Sequence, residues 1–315
     1  MATVSDADTF FSDTQQLRPR GLEDVQRRTR EFVEKAMLDK TKIALVTSGG
    51  TTVPLEMNTV RFIDNFSTGT RGALCTQEFL KSGYSVIILH REGSLFPFLE
   101  GLGKTLRHDP LSLLSDATKD HKDKQHVQVE IGEGVPEMLH SRMLPISFTT
   151  IFEYLFLLRE ICRSLRSMGP SALVFLAAAV SDFYVPEKEM VTDKIQSRAH
   201  DGLTVQLRNV PKLLGTIKEW APEVMVVSFK LETNANILLA KAAGAIVKYN
   251  VDAVCSNTLQ DRRDLVIVIS RSTAESEIVI GKESISGDET EPVPVQGVNR
   301  LRVERRPDME IDCSL

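Results

Sequence analysis

Long apolar runs are missing from this chain of 315 residues: the longest, Ala172 to Val180, has nine, against the roughly 20 that a membrane-spanning helix needs. No membrane span is expected. An excess of base is missing too, since 38 Lys and Arg face 43 Asp and Glu for a net charge of −5. A duplex nucleic-acid binder carries a basic footprint, so the expected partners are small molecules or proteins, with no nucleic acid. Cysteine is scarce: the four, Cys75, Cys162, Cys255 and Cys313, lie far apart with no CxxC pair. Neither a disulfide framework nor a zinc site is available, and buried free thiols are the reading. The first residues, MATVSDADTFFSDTQQLRPR, lack both the apolar stretch of a signal peptide and the Arg/Ser-rich pattern of a transit peptide, which makes a cytoplasmic location the expectation. With 42% hydrophobic, 26% charged and 6% aromatic residues, the composition is that of a globular protein and excludes collagenous, coiled-coil and wholly disordered chains.

What is present is an alternation of helical and strand periods. Leu22, Val25, Phe32, Val33, Ala36 and Met37 share a helical face, and Ile43 to Val46 form a short apolar run behind it. A second helix is expected from about Gly69 to Lys81, then a buried strand, SVIILH. Residues 91 to about 146 are less regular, with alternation only in HVQVEI, and read as an inserted arm or lid. Thr150 and Glu153 have capping-box spacing ahead of a helical face of Ile151, Leu155, Leu158, Cys162 and Leu165. SALVFLAAAV reads as a strand buried on both faces, followed by a polar loop to about 200, a strand in LTVQLRNV, a helix from Pro211, the strand VMVVSFK, a helix over 234–248 and strands in DAVCSN and LVIVIS. The expected fold class is α/β: a Rossmann-like, doubly wound, mostly parallel sheet with helices on both faces and an inserted arm or lid. One nucleotide-binding α/β domain is expected over 22–280, between a flexible N-terminus, 1–21, and a flexible tail, 281–315.

The first βα turn, Thr47 to Gly72, has Gly49 and Gly50 directly behind a buried strand, while Ser67, Gly69 and Gly72 stand where the next helix begins. Backbone N–H groups at such a helix start suit a phosphate. The turn lacks the lysine of a GxxxxGK[ST] loop and does not match GxGxxG. Arg61 and Asn65 are set between apolar Phe62, Ile63 and Phe66, a cation and an amide on an anchored segment. Further on, the small residues Ala177 to Ala179 end a buried strand and Asp182 follows. That leaves space and a carboxylate at the sheet edge where open α/β folds bind ligands. Tyr184 and Lys188 have the YxxxK spacing of short-chain reductases, and His90 and Arg91 could receive an NADP 2′-phosphate. Pro186 between the pair disfavours the helix that this motif requires.

The segments SGGTTVPLE, VRFIDNFSTGTRG, FLAAAVSDFYVP, KIQS, SFKLETN and AVCSN, in this order, closely resemble phosphopantothenoylcysteine synthetase (phosphopantothenate–cysteine ligase) of the eukaryotic, monofunctional type. The resemblance covers about 42 to 270. It implies a ligase of coenzyme A biosynthesis that joins 4′-phosphopantothenate to L-cysteine through an acyl-nucleotide intermediate with release of pyrophosphate. The implied co-substrate is ATP with Mg²⁺, bacterial members being associated with CTP, and the implied assembly is a homodimer. Bacterial relatives are fused behind a flavin decarboxylase domain; about 41 residues precede the first strand here, so a stand-alone enzyme is expected. Carried over by motif, Gly49, Ser67, Gly69 and Gly72 match nucleotide-phosphate contacts, and Phe229 and Asn257 match positions that hold the base. Asn65, Ala178, Ala179 and Asp182 match the phosphopantothenate site, and Asn65 also matches the asparagine associated with the acyl-nucleotide. Arg61 matches an arginine offered by the neighbouring subunit to the substrate phosphate, and Lys194 matches the lysine of a mobile loop. The resemblance assigns no metal ligand. Two rival readings are an NADP-dependent reductase of the short-chain type and a non-catalytic binding or regulatory relative; the presence of both Asn65 and Lys194 speaks against a decayed site.

Overall fold

The computed structural model describes residues 6–99, 135–196, 202–258, 260, 264–272, 278–280 and 295–304. The helices are α1 (Asp6–Asp13), α2 (Leu22–Leu38), α3 (Thr70–Lys81), α4 (Val135–Arg142), α5 (Ile151–Leu165), α6 (Ile217–Trp220) and α7 (Ala235–Tyr249). The strands that build the main sheet are β1 (Ile43–Ser48), β4 (Ser85–Arg91), β5 (Met143–Phe148), β6 (Ala172–Leu176), β9 (Met225–Glu232), β10 (Ala253–Thr258), β11 (Leu265–Arg271) and β14 (Val298–Glu304). Three short pairs accompany it: β2 (Thr52–Pro54) with β3 (Phe62–Asp64), β7 (Phe183–Tyr184) with β8 (Arg208–Asn209), and β12 (Val279–Ile280) with β13 (Val295–Gln296).

The sheet has eight strands in the order β14-β11-β10-β9-β6-β1-β4-β5. From β5 to β10 all neighbours are parallel, and β11 and β14 add antiparallel pairings at one edge. Counted along the chain, the parallel part runs 3-2-1-4-5-6, the doubly wound order whose switch point lies between its first and fourth strands. Here those are β1 and β6. Strand residues alternate between two cores: Ile43, Leu45, Ile87, Leu89 and Val174 pack with α2 and α5, while Ala44, Val46, Val86, Ile88 and Phe175 pack with α3. The capping box of α5 is formed, with Glu153 N–H donating to Thr150 Oγ1 at 3.2 Å and Thr150 N–H to Glu153 Oε2 at 2.9 Å. Cys75, Cys162 and Cys255 are buried and free of disulfides; Cys313 and HVQVEI lie outside the described residues.

Three expectations change. The region 1–21 was expected to be flexible, but α1 buries Phe10 and Phe11 in the core. Phe11 meets Phe156 edge-on at 5.0 Å and lies under the Arg159 guanidinium at 3.9 Å. An isolated eight-residue helix is marginal in water, so it is tertiary burial of its aromatic face that holds α1. The span 91–146 was expected to be an arm, yet its last part is α4 and β5, and β5 contributes Leu144, Ile146 and Phe148 to the core. Pro145 obscured β5, and an edge strand is where a sheet tolerates proline. The tail from 281 was expected to be flexible, but Val298 to Glu304 pair along β11. Smaller differences are that only Arg208–Asn209 of LTVQLRNV is paired as a strand, and that the helix expected from Pro211 is the single turn α6.

Replacing Phe11 by Ala removes a ring that is 3% exposed and is expected to lower unfolding free energy by about 3–5 kcal/mol. Chemical denaturation of the two proteins measures it; a loss below about 0.5 kcal/mol means that α1 is not part of the cooperative core.

Candidate functional site

The two halves of the sheet are joined beyond their strands. Past β1 and β6 the chain continues the pairing, as Ala179 N–H donates to Gly49 O at 2.8 Å and Thr51 N–H to Ala179 O at 3.1 Å. Two buried hydroxyls complete the seam: Ala178 N–H donates to Thr47 Oγ1 at 3.1 Å, and Ser181 N–H to Thr51 Oγ1 at 3.0 Å. The Ala178–Ala179 segment is therefore held open with its N–H groups satisfied, and its small side chains leave room above the sheet.

Asn65 is held by its backbone. Its N–H donates to Thr51 O at 3.0 Å, and its carbonyl crosses directly over Gly50, where a Cβ would stand 1.6 Å from that oxygen. No side chain fits at Gly50. At the start of α3 the reason for glycine is again close approach, because a Cβ at Gly72 would come within 2.4 Å of Ser48 Cβ. Ser48 Oγ also donates to Gly69 O at 3.0 Å, docking the helix N-terminus on the end of β1.

Above this frame lies an open cleft of ≈ 1280 Å³. Of the residues singled out from sequence, Asn65, Ser67, Ala178, Ala179, Asp182 and Phe229 line it. Gly49, Gly69 and Gly72 pack behind its wall, and Asn257 is buried in β10 beside Leu231 of β9, which does line it. The Phe229 ring is fixed edge-on against Phe175 at 5.0 Å, with the Arg71 guanidinium 5.0 Å above its centroid. Although the chain is acidic overall, among the described residues Arg71, Lys212, Lys230, Lys241 and Lys248 line the cleft against the single carboxylate Asp182. Lys212 Nζ lies 3.1 Å from Asp182 Oδ1, and Lys230 and Lys241 each hold Glu232 at 3.1 Å. Burial alone would raise the Glu232 carboxyl, but its bonds to Lys241 and Lys230 leave it below the ordinary value. Sequence reading missed these cations because a lone lysine is by default a solvated group. The seven-residue spacing of Lys241 and Lys248, two turns on one helix face, was the available signal.

Arg61 and Lys194 stand outside the cleft lining, on two segments joined to one another. Residues 56–58 run beside 191–193: Met57 N–H donates to Val191 O at 2.8 Å and Asn58 N–H to Thr192 O at 2.9 Å. At their junction sits Glu56, fully buried, with Arg61 Nη1 at 2.8 Å. Burial alone would push the Glu56 carboxyl up; the N–H groups of Arg61, Val60 and Ile195 and the Arg61 guanidinium outweigh it and hold it at about 2. Lys194 itself is exposed. Among the described residues no three His, Cys, Asp or Glu side chains are grouped to hold a metal ion.

The geometry removes the reductase reading. Tyr184 lies in β7 against Phe10 and Phe152, and Lys188 reaches Asp13 at 2.9 Å, so the pair shares no helix face. Arg91 is paired with Asp64, and Asp64 would repel a 2′-phosphate there.

Comparison with known proteins gives concordant results. A family model described as DNA/pantothenate metabolism flavoprotein C-terminal domain matches residues 159–309. Phosphopantothenate–cysteine ligase 2 of Oryza sativa subsp. japonica is 43% identical over 231 residues, which is 72% of this chain and 71% of that protein. Phosphopantothenate–cysteine ligase of Homo sapiens is 39% identical over 258 residues, 78% of this chain and 80% of that protein. A solved structure of a Cab2 mutant in complex with phosphopantothenate-cysteine is similar with a TM-score of 0.79 at 34% identity, covering 97% of this chain and 93% of that one.

The depressed Glu56 carboxyl has a defined acid signature. Its contribution to stability is fully present above the unfolded value of 4.5 and is lost as pH falls from there through about 2. Thermal unfolding of wild type and Glu56→Gln between pH 2 and 8 measures it. The stability gap is expected to be constant above pH 5 and to shrink below about 4.5; a gap that widens as pH falls contradicts the assignment.

Proposed function

Because this chain belongs to the phosphopantothenate–cysteine ligase family and is a ligase of coenzyme A biosynthesis, we propose that its cleft brings together 4′-phosphopantothenate, L-cysteine and a nucleoside triphosphate, with ATP as the nucleotide. A carboxylate is a poor acyl donor. Attack by the phosphopantothenate carboxylate oxygen on the α-phosphorus forms the acyl-nucleotide and expels pyrophosphate. The cysteine amine then attacks the acyl carbon, loses a proton, and displaces the nucleoside monophosphate to leave the amide.

The observation that carries this reading is the cleft at the β1–β6 switch point. Its volume of ≈ 1280 Å³ exceeds the usual range for one drug-sized ligand, and the cations that line it suit two phosphorylated substrates held together. In this reading the α3 N-terminus, with Ser67, Gly69 and Gly72 and with Gly49 beneath it, presents N–H donors and a favourable dipole to the nucleotide phosphates. Phe229 offers a fixed ring for the base, with Asn257 on the neighbouring strand β10. Ala178, Ala179 and Asp182 receive phosphopantothenate. Asn65, which lines the cleft, is an uncharged donor toward oxygen charge developing on the acyl group. Arg61 serves the substrate phosphate, for which its guanidinium fork is better shaped than an ammonium, and Lys194 approaches the transferring phosphate from its loop.

The residues present fit Mg²⁺ entering with the nucleotide rather than through a cage built by the chain. That ion commonly takes phosphate oxygens, waters and only one or two carboxylates, and among the described residues the cleft lining offers Asp182 alone. Its chemistry there is neutralisation of phosphate charge. A homodimer belongs to the same reading: Val60, Phe62, Ile63 and Phe66 are 55, 53, 40 and 82% exposed around Arg61, an apolar surface that a second copy would cover. A cytoplasmic location is consistent with the substrates, and among the described residues no helix is long and apolar enough to cross a membrane.

The test is pyrophosphate release from purified protein with 4′-phosphopantothenate, L-cysteine, Mg²⁺ and either ATP or CTP. Release is expected, and faster with ATP; none with either nucleotide overturns the reading. Asn65→Asp is expected to lower turnover by about 10²-fold with the melting temperature preserved. Wild-type turnover in that variant removes Asn65 from the reaction.

A further inference from the structure

We propose that Glu56 is a positioning residue of the ligase reaction: one buried carboxylate that sets the Arg61 guanidinium and the Lys194 loop in a fixed relation to each other. This rests on the ligase reading above and adds to it a residue that touches no substrate.

The two oxygens of Glu56 divide the work. Oε2 accepts from Val60 N–H at 3.1 Å and Arg61 N–H at 2.9 Å, closing the turn that carries Arg61. Oε1 accepts from Arg61 Nη1 at 2.8 Å and from Ile195 N–H at 3.3 Å, the residue after Lys194 and 139 positions away in sequence. The carboxylate is fully buried while the Arg61 side chain is 36% exposed. A buried charge is tolerated only with its partners in place, so losing either segment leaves Glu56 under-satisfied, and the two segments are held together. A guanidinium has five N–H donors. The bond to Oε1 uses Nη1, leaving the other face of the fork for an anion.

A surface ion pair would leave Arg61 free to rotate and the 191–195 segment independent of it. Here both hang on one oxygen. The neighbouring bonds are of the same sense: Asn58 Nδ2 donates to Asp193 Oδ1 at 3.1 Å, and residues 56–58 pair with 191–193. The fold thus brings a cation carried by the first βα turn to the loop of a second cation from beyond the fourth parallel strand.

Glu56→Gln separates this role from simple stability. One amide oxygen can still accept from Val60 and Arg61 N–H, but the amide nitrogen then faces two donors, Arg61 Nη1 and Ile195 N–H. In the pyrophosphate assay the variant is expected to raise KM for 4′-phosphopantothenate about tenfold and to lower kcat about tenfold, with KM for the nucleotide within twofold. In an Arg61→Ala background Glu56→Gln is expected to add nothing to that KM, and in a Lys194→Ala background to take nothing further from kcat, as coupled residues behave in a double-mutant cycle. Additive losses in both backgrounds, or unchanged kinetics at a lowered melting temperature, overturn the proposal. Should Glu56→Gln not fold, Ile195→Pro removes the N–H that donates to Glu56 Oε1, and Ile195→Ala, which keeps that N–H, is the control for the lost side chain; the proline variant is expected to have a lower kcat than the alanine variant with that KM unchanged, and equal kcat values overturn the proposal. Wild type run alongside separates the two layers, since no pyrophosphate from wild type overturns the ligase reading, while active wild type beside an unaltered Glu56→Gln overturns the positioning role alone.

Discussion

The site depends on a backbone crossing. The carbonyl of Asn65 occupies the space that a side chain at Gly50 would fill, 1.6 Å from where its Cβ would stand. This lets the loop after β3 lie flat on the end of β1, close enough for Asn65 N–H to reach Thr51 O. Everything at the near wall of the cleft follows from that approach: the direction of Asn65, the place of Ser67, and the docking of α3 through Ser48 and Gly69. Any residue larger than glycine at position 50 would lift the loop by more than a bond length and open the wall.

The second constraint is electrostatic. A chain of net charge −5 gathers, among the described residues, five cations around one cleft, and two of them, Lys230 and Lys241, are held by the same carboxylate, Glu232. Pairing of this kind keeps like charges near each other without a bound anion, and the protein field inside a cleft is set by the local lining rather than the sum over the surface. Overall charge therefore carries no information on the pocket.

Several elements are legible because their cause is local. The α5 capping box needs only Thr150 and Glu153 three residues apart, and the buried strands β1, β4 and β6 declare themselves as apolar runs. Elements held by distant partners were not legible. The helix α1 depends on Phe152 and Phe156 of α5, β5 has a proline at its centre that only an edge position accommodates, and β14 is largely exposed and gains its order by pairing along β11. Of the motif residues, Asn65, Ser67, Ala178, Ala179, Asp182 and Phe229 line the cleft, whereas nothing in the sequence singles out Lys212, which lines it too, or Glu56, buried beside Arg61. A lysine in a loop and a glutamate ending a turn have no local pattern that separates them from surface charges.

By itself, then, the sequence determined the helices and strands that carry a local pattern, the doubly wound class and the family, because apolar periodicity, glycine placement and motif spacing are properties of neighbouring residues. Only the tertiary structure decided which glycines are required by packing, which lysines face the cleft, and that Glu56 joins Arg61 to a segment 139 residues away. Those facts arise from contacts between residues remote in the chain. Burial and hydrogen-bond satisfaction, which give each such residue its role, do not exist until the sheet has assembled.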